Sequence, residues 1–398
     1  MFLKEDEFAP YLGFAMKIRT ITTGISLKSS DEASDKIEPV AEFNRKAKEL
    51  FEEQGFEVQT TRIATNSWEE YLTHSNGEKA VGEVGKIEQV CKDLKVSFFN
   101  VGYASKPENI EICSDIITNT SVISCYGKIG DSETGIDFEN ATASAKVVKR
   151  ISEQTENGVG NFRFCAWANC KPGIPFFPAG YHQGETSFSI GLECSDLLMK
   201  AFSKSKDLPE AEGNLRTIVE AELGKVQNLA QQISSELKTR FRGIDASLAP
   251  SLEKDESIAS AYEKLMPGKF GDPGTLAISS LITRVLKNLS VKTCGYSGLM
   301  LPVCEDFGLA RRASERAFNL TDLLLFSAVC GCGLDVVPLP GNITVDKLES
   351  ILLDMATLAI TLDKPLSARL LPVSGKQAGE MTAFHSPYLV DCAIMRVQ

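Results

Sequence analysis

Side chains that bind divalent metal ions occur in two glycine-containing segments of the sequence. His182 and Glu193 lie in FFPAGYHQGETSFSIGLECSDL (residues 176–197), and Asp245 lies in FRGIDASLAP (residues 241–250). Imidazole and carboxylate groups bind zinc and related divalent ions, and a histidine near carboxylates can also transfer protons. We therefore predict a divalent metal ion bound by His182, Glu193 and Asp245. The alternatives are a histidine on a surface loop and an aspartate that caps a helix or a turn.

Four further residues have side chains suited to nucleophilic or acid/base catalysis. Cys294 and Glu305 lie in TCGYSGLMLPVCEDFGLARRA, Asp335 follows two glycines in CGCGLDVVPLPGNIT, and His385 lies in SARLLPVSGKQAGEMTAFHSPYL. A thiol with a lowered pKa is a nucleophile, whereas carboxyl and imidazole groups exchange protons. We predict that these four residues are catalytic. The alternative for Cys294 is an inert thiol.

Cationic and hydroxyl side chains near these segments could bind an anionic substrate. Arginine pairs with carboxylates through two parallel hydrogen bonds, and the glycines around Lys376 resemble a small anion-binding loop. The predicted substrate-binding residues are Arg19, Arg163, Tyr296, Ser297, Arg369 and Lys376. The alternative for Lys376 is a lysine on an exposed loop.

Motifs of several large enzyme classes are absent from the sequence. No GxGxxG opens a helix after the first predicted strand, so a nucleotide cofactor is not expected. The SGK around Lys376 lacks the rest of a phosphate-binding P-loop, and no GxSxG marks a hydrolase nucleophile. The expected cofactor is therefore a divalent metal ion.

The composition indicates a cytoplasmic protein with reduced thiols. The formal net charge is −11 and no lysine- or arginine-rich run occurs, which argues against a nucleic-acid partner. The eleven cysteines are an odd number and form no CxxC pair, in a chain with no evident secretory signal. No apolar stretch reaches the about 20 residues of a membrane span, so we expect no membrane association.

Strand-like and helix-like segments alternate along the first half of the chain. Residues 35–54 have apolar side chains three or four positions apart, as in an amphipathic helix, and residues 56–63 alternate as in a strand. This rhythm predicts an α/β fold. We take the glycine-containing segments above as loops, apart from short strands over residues 186–191 and 368–371, and we predict a further strand over residues 383–397. We predict one large domain over residues 16–398 after an N-terminal extension of residues 1–15.

Six motifs carry a resemblance to a known family. They are MKIRTIT, PFFPAGYH, GIDASLAP, CGYSGLMLPV, CGCGLDVVPLPGN and ARLLPVSGKQAGE. From about Met16 to the C-terminus the chain resembles the domain of unknown function 711 family, also called uncharacterised protein family 0210. The family name itself provides no activity.

The resemblance implies a fold and a place for the active site. The implied fold is the ten-stranded α/β barrel of pyruvate formate-lyase, built from two five-stranded halves, with the site at its centre. Cys294 corresponds best to the internal-loop thiol of the radical enzymes that share this fold. The C-terminal glycyl-radical motif of those enzymes is missing here, so we do not expect a glycyl-radical enzyme.

These observations lead to three hypotheses about function. The first is an enzyme that acts on a small carboxylate- or amine-containing metabolite by metal-assisted or acid/base lyase or hydrolase chemistry. The second is a regulator that binds such a metabolite without converting it. The third is a scaffold subunit whose apolar helices, such as residues 320–329, pair in a homo-oligomer.

Overall fold

The computed structural model of the protein describes residues 15–72 and 77–397, so residues 1–14 of the predicted extension lie outside it. Within these ranges the chain forms ten strands and twelve α-helices. The strands are Ala15–Gly24 (β1), Phe56–Ala64 (β2), Phe99–Ala104 (β3), Ile123–Asp131 (β4), Gly135–Ile136 (β5), Phe164–Ala168 (β6), Ser187–Glu193 (β7), Arg240–Ala249 (β8), Gly333–Pro340 (β9) and Leu366–Val373 (β10). The helices are Ala33–Glu53 (α1), Trp68–Tyr71 (α2), Gly77–Asp93 (α3), Pro107–Asn119 (α4), Phe138–Gln154 (α5), Ser195–Ser203 (α6), Leu208–Glu236 (α7), Ile258–Tyr262 (α8), Thr275–Lys287 (α9), Phe307–Ser314 (α10), Leu320–Ser327 (α11) and Val345–Thr361 (α12).

Helix α1 shows how the apolar pattern produces the local structure. Ile37, Val40, Phe43 and Ala47 recur every three or four residues, and all four are buried on one face of the helix. Gly55 follows the helix with a φ of 82°, a left-handed conformation that favours glycine, and the chain then enters β2. The helix and strand predicted here are confirmed.

All ten strands belong to one mixed sheet with the order β8-β7-β1-β2-β3-β4-β6-β10-β9, and β5 pairs with β4. Neighbours from β1 to β6 are parallel, whereas β7 joins β1 and β10 joins β6 in antiparallel fashion. The α/β class is therefore confirmed. The hydrogen-bonded ladder does not close on itself among the described residues. The closed barrel and the relation to pyruvate formate-lyase stay predictions.

One stretch of chain contacts both edges of the sheet. Residues 293–303, here called the bridging segment, form isolated bridges with β8 and with β9. The Cys294 amide donates to the carbonyl oxygen of Ile244 in β8 at 2.9 Å, and the Val303 amide donates to that of Asp335 in β9 at 3.1 Å. The two edge strands therefore lie beside the same piece of backbone.

The loop prediction is wrong for two segments, because each of them contains a strand. Residues 241–250 lie almost entirely in β8, and residues 330–344 contain β9. Their glycines sit within or beside strands at places of close approach: a side chain at Gly243 would come within 2.9 Å of the Lys292 carbonyl oxygen. The glycines therefore mark tightly packed backbone rather than loops.

The predicted strand over residues 383–397 is also wrong. The structure assigns no strand to these residues, and a single isolated bridge joins Met381 to Ala393. We call residues 381–397 the C-terminal segment. In the described part of the chain, none of the helices is both long enough and apolar enough to cross a bilayer.

Asp306 joins two short helices from within the core. Its fully buried carboxylate accepts hydrogen bonds from the Leu309 amide at 2.8 Å, from the Ser257 hydroxyl at 2.6 Å and from the Ile258 amide at 2.6 Å. It therefore caps α10 and fixes the start of α8. Glu305 is the preceding residue, so this joint also fixes the backbone that carries Glu305.

Replacing Asp306 with alanine should lower the free energy of unfolding by about 3 kcal/mol, because three buried donors lose their acceptor. Urea denaturation followed by circular dichroism measures this change. Asp207→Ala is the matched control, since Asp207 caps α7 at an exposed position and its loss should cost about 1 kcal/mol. Equal losses for the two variants would contradict the role assigned to Asp306.

Candidate functional site

A cavity of about 410 Å³ lies against the sheet. Eight of the ten strands line it, all except β3 and β5. Both edge strands take part, through Ala249 at the end of β8 and Asp335 in β9. Since strands from both edges face one cavity, the sheet curves around it. The bridging segment completes the wall through Tyr296 and Met300, and the C-terminal segment does so through Tyr388.

Five charged side chains in this wall form one continuous chain of ion pairs. Arg19 contacts Glu193 at 2.9 Å and Glu305 at 3.0 Å. Arg369 contacts Glu305 at 2.6 Å and Asp335 at 2.7 Å. All five side chains are largely buried, so each charge depends on its partner for compensation. The structure thus brings together five residues that the sequence analysis had singled out.

Asp335 differs from an ordinary surface aspartate in its ionisation. Burial raises the pKa of Asp335, the Arg369 guanidinium opposes that rise, and the nearby Glu305 charge adds to it. Asp335 and Glu305 bind the Nε and Nη2 groups of the same guanidinium. This arrangement places two carboxyl groups side by side, one of them with an increased tendency to hold a proton.

Among the cations of this wall, Arg62 in β2 and Arg163 have no carboxylate partner in the described residues, but Arg163 donates to main-chain carbonyl oxygens and Arg62 does not. Among the described residues the only hydrogen-bond partner of the Arg62 guanidinium is the Thr60 hydroxyl, at 3.2 Å from Nε, and the guanidinium forms no ion pair. Burial, together with the positive charges of Arg19 and Arg369, lowers the pKa of Arg62 to about 9. The group therefore stays protonated at neutral pH and adds to the cavity a positive charge that no carboxylate of the described residues contacts.

Aromatic rings surround Arg62. Its guanidinium lies 5.1 Å from the ring centre of Phe98 and 5.4 Å from that of Phe177, within range of cation–π attraction. Tyr388 packs edge-on against Phe98 and stacks on Phe162, with ring centres 5.9 Å apart in both pairs. The cavity therefore offers a positive charge beside a flat apolar surface.

The three predicted metal ligands do not form one site. His182 is buried with Nε2 3.1 Å from the carbonyl oxygen of Gly184, which also rules out the surface-loop alternative. Glu193 pairs with Arg19 in the cavity, and Asp245 accepts hydrogen bonds from amides of the bridging segment from within β8. In residues 15–72 and 77–397, no three His, Cys, Asp or Glu side chains are grouped to hold a metal ion. A divalent cofactor stays a prediction without a ligand set.

Three other predicted residues do not line the cavity in the described structure. Burial raises the pKa of the Cys294 thiol, as expected for the inert alternative rather than for a nucleophile. His385 is exposed on the C-terminal segment, and Lys376 lies in the turn after β10. The structure therefore separates all three from the ion-pair network.

The remaining predicted substrate-binding residues have mainly structural contacts. Arg163 reaches the cavity wall, but its guanidinium donates to three main-chain carbonyl oxygens at 2.7 Å each. Tyr296 lines the cavity, and its hydroxyl lies 2.8 Å from that of Ser367. Ser297 is buried, and its amide donates to Asp245. Of these three, Tyr296 alone offers a ligand a hydroxyl group.

Arg62 is the main residue that sequence reasoning missed. It lies in EVQTTRIA, where alternation identifies a strand but does not single out one polar position. The available signal was a long cationic side chain in a strand next to the apolar Ile63. Its aromatic neighbours come from three separate parts of the chain, so no local pattern could group them.

Comparison with known proteins places the chain in a family. It matches the family described as Uncharacterised ACR (DUF711) over residues 14–385. It is 24% identical to a UPF0210 protein of Thermoanaerobacter sp. (strain X514), covering 94% of this chain and 90% of that protein. It is 26% identical to UPF0210 proteins of Methanocaldococcus jannaschii and Listeria monocytogenes, covering 92% and 93% of this chain and 87% and 88% of those proteins. Because the family match spans nearly its whole length, the chain belongs to the uncharacterised family DUF711.

Proposed function

We propose that the cavity binds a small organic carboxylate and converts it by acid/base chemistry of the lyase or hydrolase class. The observation that carries the proposal is Arg62, a protonated guanidinium that faces the cavity without a protein carboxylate. A charge left unpaired in a partly buried site is costly unless a ligand compensates it. A carboxylate is the anion whose geometry matches a guanidinium through two hydrogen bonds.

The surroundings of Arg62 favour a ligand with an apolar body. Phe98, Phe177 and Tyr388 provide ring surfaces next to the guanidinium, and the volume of about 410 Å³ falls in the usual range for small-molecule sites. Arg19 and Arg369 are occupied by protein carboxylates. They therefore serve better to hold Glu305 and Asp335 in place than to bind the ligand.

Asp335 is the proposed proton carrier. Its raised pKa and its position in the cavity wall suit a carboxyl group that donates a proton to a bound substrate and recovers it afterwards. Glu305 lies on the same edge of Arg369 and supplies the second carboxylate of an acid/base pair. A closed barrel would exclude water from this pair, and the contacts of the bridging segment with β8 and β9 support such closure.

Replacing Arg62 with glutamine should weaken binding of phenylacetate by about 10- to 100-fold, because a charged hydrogen-bonded pair is lost. Isothermal titration calorimetry measures the affinity, with phenylacetamide as the uncharged counterpart of the ligand. The glutamine variant should lose the preference for the acid over the amide.

Arg240→Gln is the matched control for this experiment, because Arg240 is exposed at the start of β8 and does not line the cavity. It should bind phenylacetate as the wild type does. Equal affinity of the wild type for phenylacetate and phenylacetamide, or no binding of either, would argue against a carboxylate site at Arg62.

Replacing Asp335 with asparagine should reduce turnover by about 10²- to 10⁴-fold while leaving carboxylate binding nearly unchanged. Turnover is measured by proton NMR as deuterium uptake from D₂O into pyruvate, phenylpyruvate, malate and succinate, above an enzyme-free blank. The Arg62 variant should instead show a raised KM that high substrate concentration overcomes. Carboxylate binding without uptake into any of the four acids would favour the regulator hypothesis.

A further inference from the structure

A buried serine in β4 presents its hydroxyl group to the cavity without a partner in the protein. Ser124 lines the cavity and is only 3% exposed. Its backbone is paired in the sheet, but its hydroxyl group has no hydrogen-bond partner among the described residues. Buried hydroxyl groups are normally hydrogen-bonded, because an unpaired one costs free energy. The Ser124 hydroxyl is therefore available to a molecule bound in the cavity.

Ser124 is the exception among the hydroxyl groups of the cavity wall that are not exposed to solvent. The Thr60 hydroxyl donates to a main-chain carbonyl oxygen at 2.7 Å, and the Ser251 hydroxyl accepts a main-chain amide at 3.2 Å. The Tyr296 and Ser367 hydroxyl groups lie 2.8 Å apart and can bond to each other. In the described residues, these four side chains thus have partners within the protein.

The alternation of side chains along β4 fixes the direction of this hydroxyl group. Neighbouring residues of a strand point to opposite faces of the sheet. Cys125 points to the helices, where its Sγ lies 3.9 Å from the carbonyl oxygen of Cys113 in α4. Ser124 therefore points to the inner face. Tyr126 shares that face and packs against Trp167, deeper in the interior.

The sheet order places Ser124 between Arg62 and Arg369. The strand β4 is the middle one of the five consecutive strands β2-β3-β4-β6-β10, and the two arginines lie in the outer two. Ser124 pairs with Asn100, which pairs with Ala64, two residues after Arg62. The pairing of β4 with β6 and of β6 with β10 brings Arg369 to a similar level. Each arginine thus lies two strands from Ser124, roughly 10 Å across the sheet.

This position has a consequence for any ligand that uses both ends of the proposed site. Its carboxylate would lie on the Arg62 guanidinium, and its reacting carbon would lie near the carboxyl groups that Arg369 holds. Such a ligand passes the Ser124 hydroxyl on the way. The Arg62 side chain spans much of the interval to Ser124, so the ligand atom that meets the hydroxyl lies close to the carboxylate.

We propose that the Ser124 hydroxyl binds an oxygen atom on the carbon next to the substrate carboxylate, so that the cavity selects 2-hydroxy and 2-oxo acids. A serine hydroxyl can donate a hydrogen bond to either kind of oxygen. The inference rests on the proposed binding of a carboxylate at Arg62 and names the class of acid that binds there. It is carried by a buried hydroxyl group in the cavity wall that lacks a partner in the described protein.

Isothermal titration calorimetry with three acids tests the proposal. Phenylacetate, mandelate and phenylglyoxylate share a carboxylate and a ring and differ only at the carbon between them. The wild type should bind the better mandelate enantiomer, or phenylglyoxylate, about 3- to 10-fold more tightly than phenylacetate, because the serine hydroxyl gains a partner. A gain for mandelate alone identifies hydroxy acids, and a gain for phenylglyoxylate alone identifies oxo acids. Equal or weaker binding of both oxygenated acids would overturn the proposal.

Replacing Ser124 with alanine should abolish this gain and leave the affinity for phenylacetate within about twofold of the wild type. Ser367→Ala is the matched control, because Ser367 lies in the same wall but its hydroxyl group already has a partner in Tyr296. This variant should keep the wild-type ratio of the affinities for oxygenated and unsubstituted acids. A gain that persists in the Ser124 variant would contradict the assigned role.

Thermal melting without ligand distinguishes a binding role from a structural one. Ser124→Ala removes a hydroxyl group without a protein partner, so its Tm should equal or exceed that of the wild type. Ser367→Ala breaks the contact with Tyr296 and should lower the Tm. A Tm of the Ser124 variant as low as that of the Ser367 variant would show that the Ser124 hydroxyl serves the fold, against the proposal.

The same titrations separate this inference from the function on which it rests. A wild type that prefers phenylacetate to phenylacetamide, but gains nothing from an oxygen on the next carbon, would refute the role of Ser124 and leave the carboxylate site at Arg62 intact. A wild type that binds none of the three acids would refute both.

Discussion

The shared salt bridge of Glu305 sets the strictest condition on this fold. Its carboxylate contacts Arg19 at 3.0 Å and Arg369 at 2.6 Å, although these arginines stand 286 and 64 positions away along the chain. A nearly buried carboxylate between two guanidinium groups is tolerable only while both cations stay in contact. The first strand, the last strand and the start of α10 must therefore meet, which requires the sheet to curve around a common interior.

Much of the architecture can be predicted from local patterns, because an element that is buried on one face has apolar residues at regular spacing in the sequence. The spacing of Ile37, Val40 and Phe43 identifies α1, and the alternation after Gly55 identifies β2. The edge strands escaped prediction for a physical reason. Their glycines and Asp245 resemble loop residues, but they contact the backbone of the bridging segment. Because the bridging segment is distant in the sequence, no local pattern indicates these contacts.

The site was only partly predictable for a related reason. Charged residues with ion-pair partners, such as Arg19 and Asp335, lie in apolar surroundings, and the sequence analysis identified them. Residue type alone does not show whether a charged side chain has an ion-pair partner within the protein, so the sequence analysis missed Arg62. Conversely, the chemistry of imidazole drew attention to His182 and His385, of which one is buried and the other is exposed.

The position of the C-terminal segment at the end of the chain determines when the cavity is completed during translation. Tyr388 forms part of the cavity wall, and the Val390 amide donates to the carbonyl oxygen of Cys304 beside Glu305. These residues follow all ten strands in the chain and leave the ribosome after them. During translation the sheet can form while the cavity wall is still incomplete. The cavity can bind its ligand only after these residues have left the ribosome. A nascent chain stalled after β10 would carry Arg62 but not the Tyr388 ring that packs against Phe98 and Phe162.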